Sequence, residues 1–402
     1  MAELKQNTWT LNGWYEQTVA GTGSYSEDNT FWVWGKNNRG ALGLNQGPGN
    51  AKSSPVQLPG LTWEKLGKGN SSDWKAVIKT DGTLWTWGQG GYGNLGQNEG
   101  PQGGTMYYSS PVQIGSGTDW NKVACADRHL LAIKTNGSLW TCGSNQFGQL
   151  GDGTADTPGG DTTGNSKSSP IQIPGTWTDV AGGPGRSYGI KSGGTMWSWG
   201  TNTNGGSLGH SEPGSTNISS PKQIPGTTWS KLATSSDNFT AAIKTDGTLW
   251  AWGNAQNTGN LGHRHNPNSG INSRSSPIQI PGTNWNNVVC NGESIWATKT
   301  DGTLWSWGNN DDGQLGHNER NPAGYSSPTQ IGSNTNWSEV IAGQKCCFFK
   351  TSGNAVWVVG AGTQGQLGNN SETFISSPVL INSGAWSDIS SGTNSVYGIR
   401  QW

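Results

Sequence analysis

The stretch Lys79-Thr80-Asp81-Gly82-Thr83-Leu84-Trp85-Thr86-Trp87-Gly88 has the pattern of a complete β-hairpin. Its Asp-Gly pair lies between two apolar runs and tolerates the positive φ angles of a two-residue type I′ turn. The second half recurs every 52 to 57 residues, with its first aromatic residue at Trp32, Trp85, Trp140, Trp197, Trp250, Trp305 and Trp357. A fixed period of this length indicates a repeat architecture.

Each repeat contains four short strands. It begins with Trp-x-x-Val/Leu/Ile, continues through the hairpin, passes an Asn/Gly-rich turn and closes with Ser-Ser-Pro and a last strand. Turn signals separate the strands, and no helical period is present. We therefore predict an all-β fold, a seven-bladed β-propeller with four-stranded antiparallel blades that forms a single domain over residues 14–402. The repeats start near Trp14, Trp63, Trp120, Trp177, Trp229, Trp285 and Trp337, and a closing segment starts at Trp386.

The two ends of the chain complement each other. The first repeat lacks the Ile-Lys-Asp-Gly hairpin, and the closing segment supplies the missing part with residues 396–400. We expect the C-terminal strand to pair with the N-terminal Trp strand at residues 31–35, which closes the ring. Residues 1–13 would then be an N-terminal arm, and residues 14–19 a spare first strand.

The paired tryptophans predict how neighbouring blades pack. Strand alternation places Trp85 and Trp87 on one face of their sheet, and both faces of a propeller blade are buried against neighbours. Cys142 and Val359 replace the second Trp in blades three and seven, so those interfaces must be filled differently or be looser. The tryptophans assigned to packing are Trp32, Trp34, Trp85, Trp87, Trp140, Trp197, Trp199, Trp250, Trp252, Trp305, Trp307 and Trp357.

Composition and motifs exclude several classes of protein. A net charge of -1 gives no basic footprint for nucleic acid, and no run of about 18 apolar residues would span a membrane. Five Cys form no Cys-x-x-Cys pair, and we interpret them as buried apolar residues. His210, His263 and His317 follow Leu-Gly in successive repeats, so they should fan outward rather than converge on a metal. We therefore expect no catalytic residues, no cofactor and no metal.

Two surfaces remain as candidates for recognition. The segments between Leu-Gly and Ser-Ser-Pro vary in length (residues 44–52, 97–108, 152–167, 210–218, 263–274, 317–325 and 369–375), as binding loops on a fixed scaffold do. Among them, Met106, Tyr107 and Tyr108 are suited to contact a partner. Surface loops also tolerate changes in length that have no function, and this explains the variation in loop length equally well.

The second candidate is the turn before each second strand. Each second strand ends in a basic residue, and we compare the residues that lie five positions before it. The scaffold positions of the repeat carry the same residue types from blade to blade, but this position is mixed: Trp74, His129, Arg186, Phe239, Ser294, Lys345 and Ser395. This mixture suggests a ring shaped for a ligand, although relaxed constraint explains it too. The basic column itself could surround an anion, but we favour solvated strand ends: Lys79, Lys134, Lys191, Lys244, Lys299, Lys350 and Arg400.

The wording Ile-Lys-Thr-Asp-Gly-Thr-Leu-Trp-x-Trp-Gly, followed by Asn-x-x-Gly-Gln-Leu-Gly, resembles the regulator of chromosome condensation repeat family over residues 14–402. The resemblance implies a seven-bladed propeller. Known members include a nucleotide-exchange factor, a plant ultraviolet photoreceptor and a secreted bacterial inhibitor of β-lactamases, and many copies occur in bacteria and bacteriophages. The chain is not basic, as the exchange factor would imply, and it lacks the Gly-Trp-Arg-His-Thr motif that the photoreceptor would imply.

We therefore expect a non-enzymatic recognition scaffold that contacts protein or a surface glycan. A phage virion or tail, or a bacterial surface, is the expected setting. The alternative is a regulator or inhibitor that caps a partner protein with one propeller face. The N-terminus lacks the apolar core of a secretory signal, which predicts a virion or extracellular location for a phage product and a cytoplasmic one otherwise.

Overall fold

The computed structural model describes residues 29–60, 62–69, 73–99, 106–156, 164–202, 206–212, 216–254, 258–263, 273–382 and 386–401. The predicted arm at residues 1–13 and the spare strand that begins at Trp14 lie outside these ranges. Seven four-stranded antiparallel sheets form seven blades, as the repeat predicts. A short 3-10 helix, Asn38–Gly40, lies in the loop after the first Trp strand.

The first strand of each blade lies at the centre, where it contacts the first strands of the two neighbouring blades around the ring. The first strands are β3 (Trp63–Leu66), β7 (Trp120–Cys125), β11 (Trp177–Gly183), β15 (Trp229–Thr234), β19 (Trp285–Asn291), β23 (Trp337–Ala342) and β27 (Trp386–Ser391).

The second and third strands form the hairpins of the repeat. The second strands are β4 (Trp74–Lys79), β8 (His129–Lys134), β12 (Arg186–Lys191), β16 (Phe239–Lys244), β20 (Ser294–Lys299), β24 (Cys346–Thr351) and β28 (Ser395–Arg400). The third strands are β1 (Thr30–Gly35), β5 (Leu84–Gln89), β9 (Leu139–Gly143), β13 (Met196–Gly200), β17 (Leu249–Asn254), β21 (Leu304–Asn310) and β25 (Val356–Gly360).

The fourth strands form the outer edges of the blades. Each contains a proline beside an irregularity in its pairing; Pro55, for example, lies between the paired residues Lys52 and Val56. Proline cannot donate to a ladder and is tolerated at such an edge. The fourth strands are β2 (Lys52–Leu58), β6 (Tyr107–Gln113), β10 (Lys167–Ile173), β14 (Ile218–Gln223), β18 (Ser273–Ile280), β22 (Asn321–Gln330) and β26 (Ile375–Asn382).

Blade 1 closes the ring by joining the two ends of the described chain. Its strand order is β2-β1-β28-β27, and β1 pairs with β28 from Thr30 opposite Arg400 to Gly35 opposite Ser395. The predicted closure is therefore confirmed. The blades that begin with β3, β7, β11, β15, β19 and β23 are blades 2 to 7.

The Asp-Gly turn differs from the predicted two-residue type I′ turn. The Gly82 N–H donates to Lys79 O at 2.9 Å, and the Lys79 N–H donates to Thr83 O at 3.0 Å. Gly82 has φ of +77°, whereas Asp81 is not among the residues with positive φ. Asp81 Oδ1 instead accepts hydrogen bonds from the backbone N–H and the hydroxyl of Thr83. The hairpin therefore uses a longer loop with glycine at its only left-handed position.

The second Trp of each pair connects successive blades. The Trp87 indole N–H donates to Ala41 O of the preceding blade at 2.8 Å, and Trp34 donates to Gln366 O at 3.0 Å. The same bond joins Trp199 to Gln149, Trp252 to Ser207 and Trp307 to Asn260. Every accepting residue precedes a Leu-Gly pair, and the five indoles are almost completely buried.

The two blades without this Trp fill the interface in other ways. In blade 3, Cys142 Sγ lies 3.8 Å from Asn94 O, which occupies the equivalent loop position. In blade 7, where Val359 replaces the indole, the loop carbonyl of Gln314 accepts the indole N–H of Trp296 at 3.0 Å. Trp296 belongs to β20 of the preceding blade, so the donor comes from the opposite side of the same interface. All five Cys are buried and free of disulfides, as predicted.

Replacement of Trp34 by Phe tests the contribution of the interblade hydrogen bond. The variant removes the donor to a buried carbonyl, so we expect a loss of about 1–3 kcal/mol in the free energy of unfolding. Trp32→Phe is the matched control, because the half-buried Trp32 donates only to the Thr30 hydroxyl of its own strand. Urea unfolding measures both. An equal loss in the two variants would contradict the assigned role of Trp34.

Candidate functional site

The described ends of the loops of variable length all lie at one end of the ring. Gly88, at the end of β5, pairs both with Trp74 at the start of β4 and with Tyr108 at the start of β6. The turns between first and second strands and the loops between third and fourth strands therefore share this end, which we call the loop face. The Asp-Gly hairpin turns lie at the opposite end, which we call the hairpin face.

The mixed column before the second strands is buried rather than exposed. The side chains of Trp74, His129, Arg186, Phe239 and Ser294 are at most 1% exposed. The role of these residues in binding stays a prediction, but their burial argues against direct contact with a partner at the surface. The physical reason is that each residue begins a second strand, which packs between two blades.

Several members of this column bond to the next blade. The Trp74 indole donates to Ala126 O at 3.1 Å, and His129 Nε2 lies 2.8 Å from Ser187 Oγ. Arg186 donates from Nη1 to Asn238 Oδ1 and from Nη2 to Ser235 O at 2.7 Å. Burial lowers the pKa of His129 to about 3, so this ring is neutral at pH 7. The column therefore varies in residue type because each interface is filled in its own way.

The predicted place of Lys345 in this column is wrong by one residue. In blade 7, Thr351 pairs with Trp337, whereas in blade 2 Lys79 pairs with Trp63. Cys346, which is buried, is therefore the structural equivalent of Trp74. Lys345 lies in the preceding turn, its side chain is 61% exposed, and it forms an ion pair with Asp312 at 3.2 Å. By the same shift, Lys350 does not belong to the basic column.

The expectation that the other members of that column are solvated strand ends is wrong, because their cationic groups pack on tryptophan rings. Lys79 Nζ lies 4.7 Å from the ring centre of Trp63 and 4.1 Å from that of Trp85. Cation–π contacts of this kind recur in six blades, and they use the first Trp of the repeat and the first Trp of the pair. The cations are Lys79, Lys134, Lys191, Lys244, Lys299 and Arg400.

Met106, Tyr107 and Tyr108 lie on the loop face at the start of the outer strand β6. Tyr107 is 41% exposed and is one of the most exposed large apolar residues among those that the structure describes. Tyr108 donates its hydroxyl to Glu99 Oε1 at 2.5 Å. Burial and this carboxylate raise the pKa of Tyr108 to about 12. The role of the three residues in binding stays a prediction.

An aromatic and basic cluster that sequence reasoning missed lies on the same face. The Arg128 guanidinium lies 4.5 Å from the ring centre of Tyr92 and 3.3 Å from Asp127. Its side chain is 49% exposed. Tyr92 belongs to the Gly-rich loop of blade 2, and Arg128 belongs to the first turn of blade 3. The shared end of the two blades is what brings them together, and no local pattern indicates it.

The central channel carries a second set of residues that the sequence did not reveal. A cavity of about 470 Å³ lies between the seven first strands. The third residue of six of the seven first strands lines it, and these residues carry both signs of charge: Lys65, Lys122, Asp179, Asn287, Glu339 and Asp388.

The charges in this channel compensate each other. Lys122 pairs with Asp179 at 2.8 Å, and Lys68 pairs with Asp388 and lies 3.5 Å from Glu339. Burial opposes the charge of Lys68, but the two carboxylates together raise its pKa. Burial lowers the pKa of Lys231, which donates to Asn286 O. The channel therefore offers paired charges rather than an open anion site.

Within the described ranges, no group of three or more His, Cys, Asp or Glu is placed to hold a metal ion. His210 and His317 instead contact serine hydroxyls of their own blades, Ser198 at 2.9 Å and Ser306 at 3.0 Å. No helix in the described part of the chain is long and apolar enough to cross a membrane.

Comparisons with known proteins agree with this architecture. Residues 81–133, 136–188 and 301–349 match the sequence model of the regulator of chromosome condensation (RCC1) repeat, and residues 120–149 match a second model of that repeat. The chain is 27% identical over 367 residues to human E3 ubiquitin-protein ligase HERC2, which covers 88% of the chain but only 7% of HERC2. It is 27% identical over 349 residues to the Arabidopsis thaliana ultraviolet-B receptor UVR8, covering 83% of the chain and 73% of the receptor.

Solved structures show the same fold at lower identity. Yeast RCC1 (Prp20), in its complex with Kap60, superposes with a TM-score of 0.78 at 15% identity, covering 93% of this chain and 89% of that one. Human WBSCR16 superposes with a TM-score of 0.77 at 19% identity, covering 93% and 99%. The chain is therefore a seven-bladed β-propeller, and it carries regulator of chromosome condensation repeats at residues 81–133, 136–188 and 301–349.

Lys75 provides a test of the interface between blades 1 and 2. It is completely buried, and its Nζ donates to Ser390 Oγ at 2.6 Å and lies 4.7 Å from the ring centre of Tyr397. Burial lowers the pKa of Lys75 to about 8. At pH 7 the folded state must keep a charge that burial disfavours by about 3 kcal/mol. We therefore expect Lys75→Met to be more stable than the native chain at pH 7.

The pH dependence follows from the sign of this shift. Between about pH 8 and pH 10, folded Lys75 loses its proton while the unfolded chain keeps it, so the native chain gains stability as the pH rises. We expect the advantage of Lys75→Met in urea unfolding to shrink over that range. An advantage that does not change with pH would show that Lys75 is not buried as a charge.

Proposed function

We propose that the chain is a non-enzymatic scaffold that binds a protein partner through its loop face. This proposal depends on one observation: the positions that repeat and the positions that vary lie in different parts of the ring. The repeated Trp, Lys and Asp-Gly residues are used in contacts within and between blades, whereas the segments of variable length all emerge at the loop face. Loops on a rigid scaffold are where binding residues most often lie.

The chemistry of this face between blades 2 and 3 supports a protein partner. Tyr107 is exposed, and Tyr92 stacks against the half-exposed Arg128. Tyrosine, methionine and arginine are enriched at protein interfaces. Tyrosine and arginine combine a large contact area with a polar end, and methionine offers a flexible apolar one. Met106 and Tyr108 extend the same surface along the start of β6.

The relatives support the same class of function. One similar structure shows yeast RCC1 bound to Kap60, and another concerns the binding of Prp20p to Gsp1p and histones. These partners belong to those proteins, and we carry over only the general function of binding another protein. The chain spans 7% of the length of HERC2, so ligase activity is not part of the proposal.

The setting that we propose is the surface of a phage virion or tail, or of a bacterium, with a glycan as the other possible ligand. The proposed setting depends on the similarity of the repeat sequences to those found in bacteria and bacteriophages, and on the low share of charged residues, 12%. A regulator or inhibitor that caps a partner is the alternative function. It would use the same face, and the flat end of a ring is suited to cover another protein.

Variants on the two faces test this proposal. We expect Tyr107→Ser and Arg128→Ala to weaken binding of captured protein partners by about tenfold each, which corresponds to about 1.4 kcal/mol. Glu64→Ala is the control, because Glu64 is partly exposed on the hairpin face. The partners are identified by mass spectrometry and their affinities are measured with purified components. Loss of binding in Glu64→Ala with retention in the other two variants would refute the loop face as the site.

A further inference from the structure

An aromatic pair in blade 7 lacks the cation that accompanies it in the other six blades. In blade 4, Lys191 Nζ lies 4.8 Å from the ring centre of Trp177 and 3.8 Å from that of Trp197. In blade 1, Arg400 takes the same place beside Trp386 and Trp32. The equivalent pair in blade 7 is Trp337 and Trp357, with ring centres 6.0 Å apart and planes at 81°.

The one-residue register shift of β24 explains the difference. Thr351 stands opposite Trp337, where the other blades have Lys or Arg. The neighbouring Lys350 points away, since its Nζ donates to Ser387 O at 2.9 Å and lies 3.9 Å from Glu339. In the part of the chain that the structure describes, no Lys or Arg makes a cation–π contact with Trp337 or Trp357.

A cavity of about 450 Å³ opens beside this pair, between blades 6 and 7. Its walls include Trp337, Trp357, Gly316, Ile331 and Pro378. Part of this space exists because Val359 replaces an indole. In other interfaces that indole covers the Leu-Gly glycine: a methyl group at Gly368 would lie 2.7 Å from Trp34 Nε1, whereas one at Gly316 would meet nothing closer than 3.5 Å.

The cavity includes the place where the ammonium group lies in the other blades. The loop before each first strand flanks that group: a methyl group at Gly117, three residues before Trp120, would lie 3.9 Å from Lys134 Nζ. In blade 7 the residue three positions before Trp337 is Asn334, and it lines the cavity together with Ser333. The vacant cation position and the cavity therefore coincide.

The surroundings favour a positive guest. His317, the titratable residue in the cavity wall, contacts Ser306 Oγ at 3.0 Å and packs on Tyr325. Burial lowers the pKa of His317, so its ring is neutral at pH 7 and does not repel a cation. Indole faces attract a cation most strongly where neighbouring groups displace water from it, and the walls of this cavity displace part of that water.

We propose that the cavity between blades 6 and 7 binds an alkylammonium or guanidinium group, which Trp337 and Trp357 hold as the other blades hold their own Lys or Arg. The group comes from a lysine or arginine side chain or from a free amine of the same chemistry. The site lies between blades 6 and 7, and its wall does not include Tyr92, Tyr107 or Arg128, the residues proposed to bind a protein partner.

Titration of the whole chain with small probes tests this proposal. N-acetyl-lysine methylamide and N-acetyl-arginine methylamide represent a side chain, n-butylammonium represents a free amine, and N-acetyl-norleucine methylamide is the neutral control of the same shape. We expect saturable shifts of the Trp337 and Trp357 indole signals in NMR spectra with the cations. Binding of the neutral control should be weaker by at least about tenfold. Tighter binding of the capped amino acids than of butylammonium would identify a side chain as the ligand, and the reverse a free amine.

Thr351→Lys is the decisive variant, because it restores the cation of the other blades and should fill the site. We expect it to weaken binding of the cationic probes by at least about tenfold, and Thr351→Ser to bind them as the native chain does. Trp357→Leu provides a second loss of binding if Thr351→Lys does not fold. Equal binding of norleucine and lysine derivatives, undiminished binding by folded Thr351→Lys, or the absence of any saturable shift would overturn the proposal.

Discussion

The hydrogen bond from a buried indole N–H to the loop carbonyl of the preceding blade is the contact on which the ring depends. In five of the seven blades it joins the second Trp of the pair to the residue before the Leu-Gly pair of the preceding blade. The same residue provides packing area and a directional bond, and a buried carbonyl without a donor would be costly. Blade 7 underlines this requirement, because Trp296 supplies the donor to Gln314 where Val359 cannot.

The fold could be predicted from the sequence because each repeat carries its own strand and turn signals, and because the two ends of the chain supply complementary parts of blade 1. The strand register and the turn type could not be read from the repeat pattern alone. The spacing of the repeat predicts that Lys350 belongs to the basic column, but the register of β24 places Thr351 at that position. The Asp-Gly pair was expected to form a two-residue turn, yet the Asp81 side chain stabilises a longer one.

The candidate site was harder to predict for a similar reason. The column from Trp74 to Ser294 varies in sequence as a ligand-binding ring would, but variation in a buried interface has the same appearance. Tyr92 and Arg128 meet only because consecutive blades present their turns at one end of the ring. The charged residues of the central channel are separated by a whole repeat, and ring closure alone brings Lys68 to Asp388.

Stability thus depends on the positions that repeat, and we propose that recognition depends on the positions that do not. A substitution scan of the whole chain, read out both as the amount of folded protein and as binding to a purified partner, tests this division most directly. We expect changes at repeated positions such as Trp87 to lower binding only in proportion to the amount of folded protein. Changes at Tyr92, Tyr107 and Arg128 should lower binding while the amount of folded protein stays constant. Binding-specific positions clustered among the repeated residues, with none on the loop face, would contradict it.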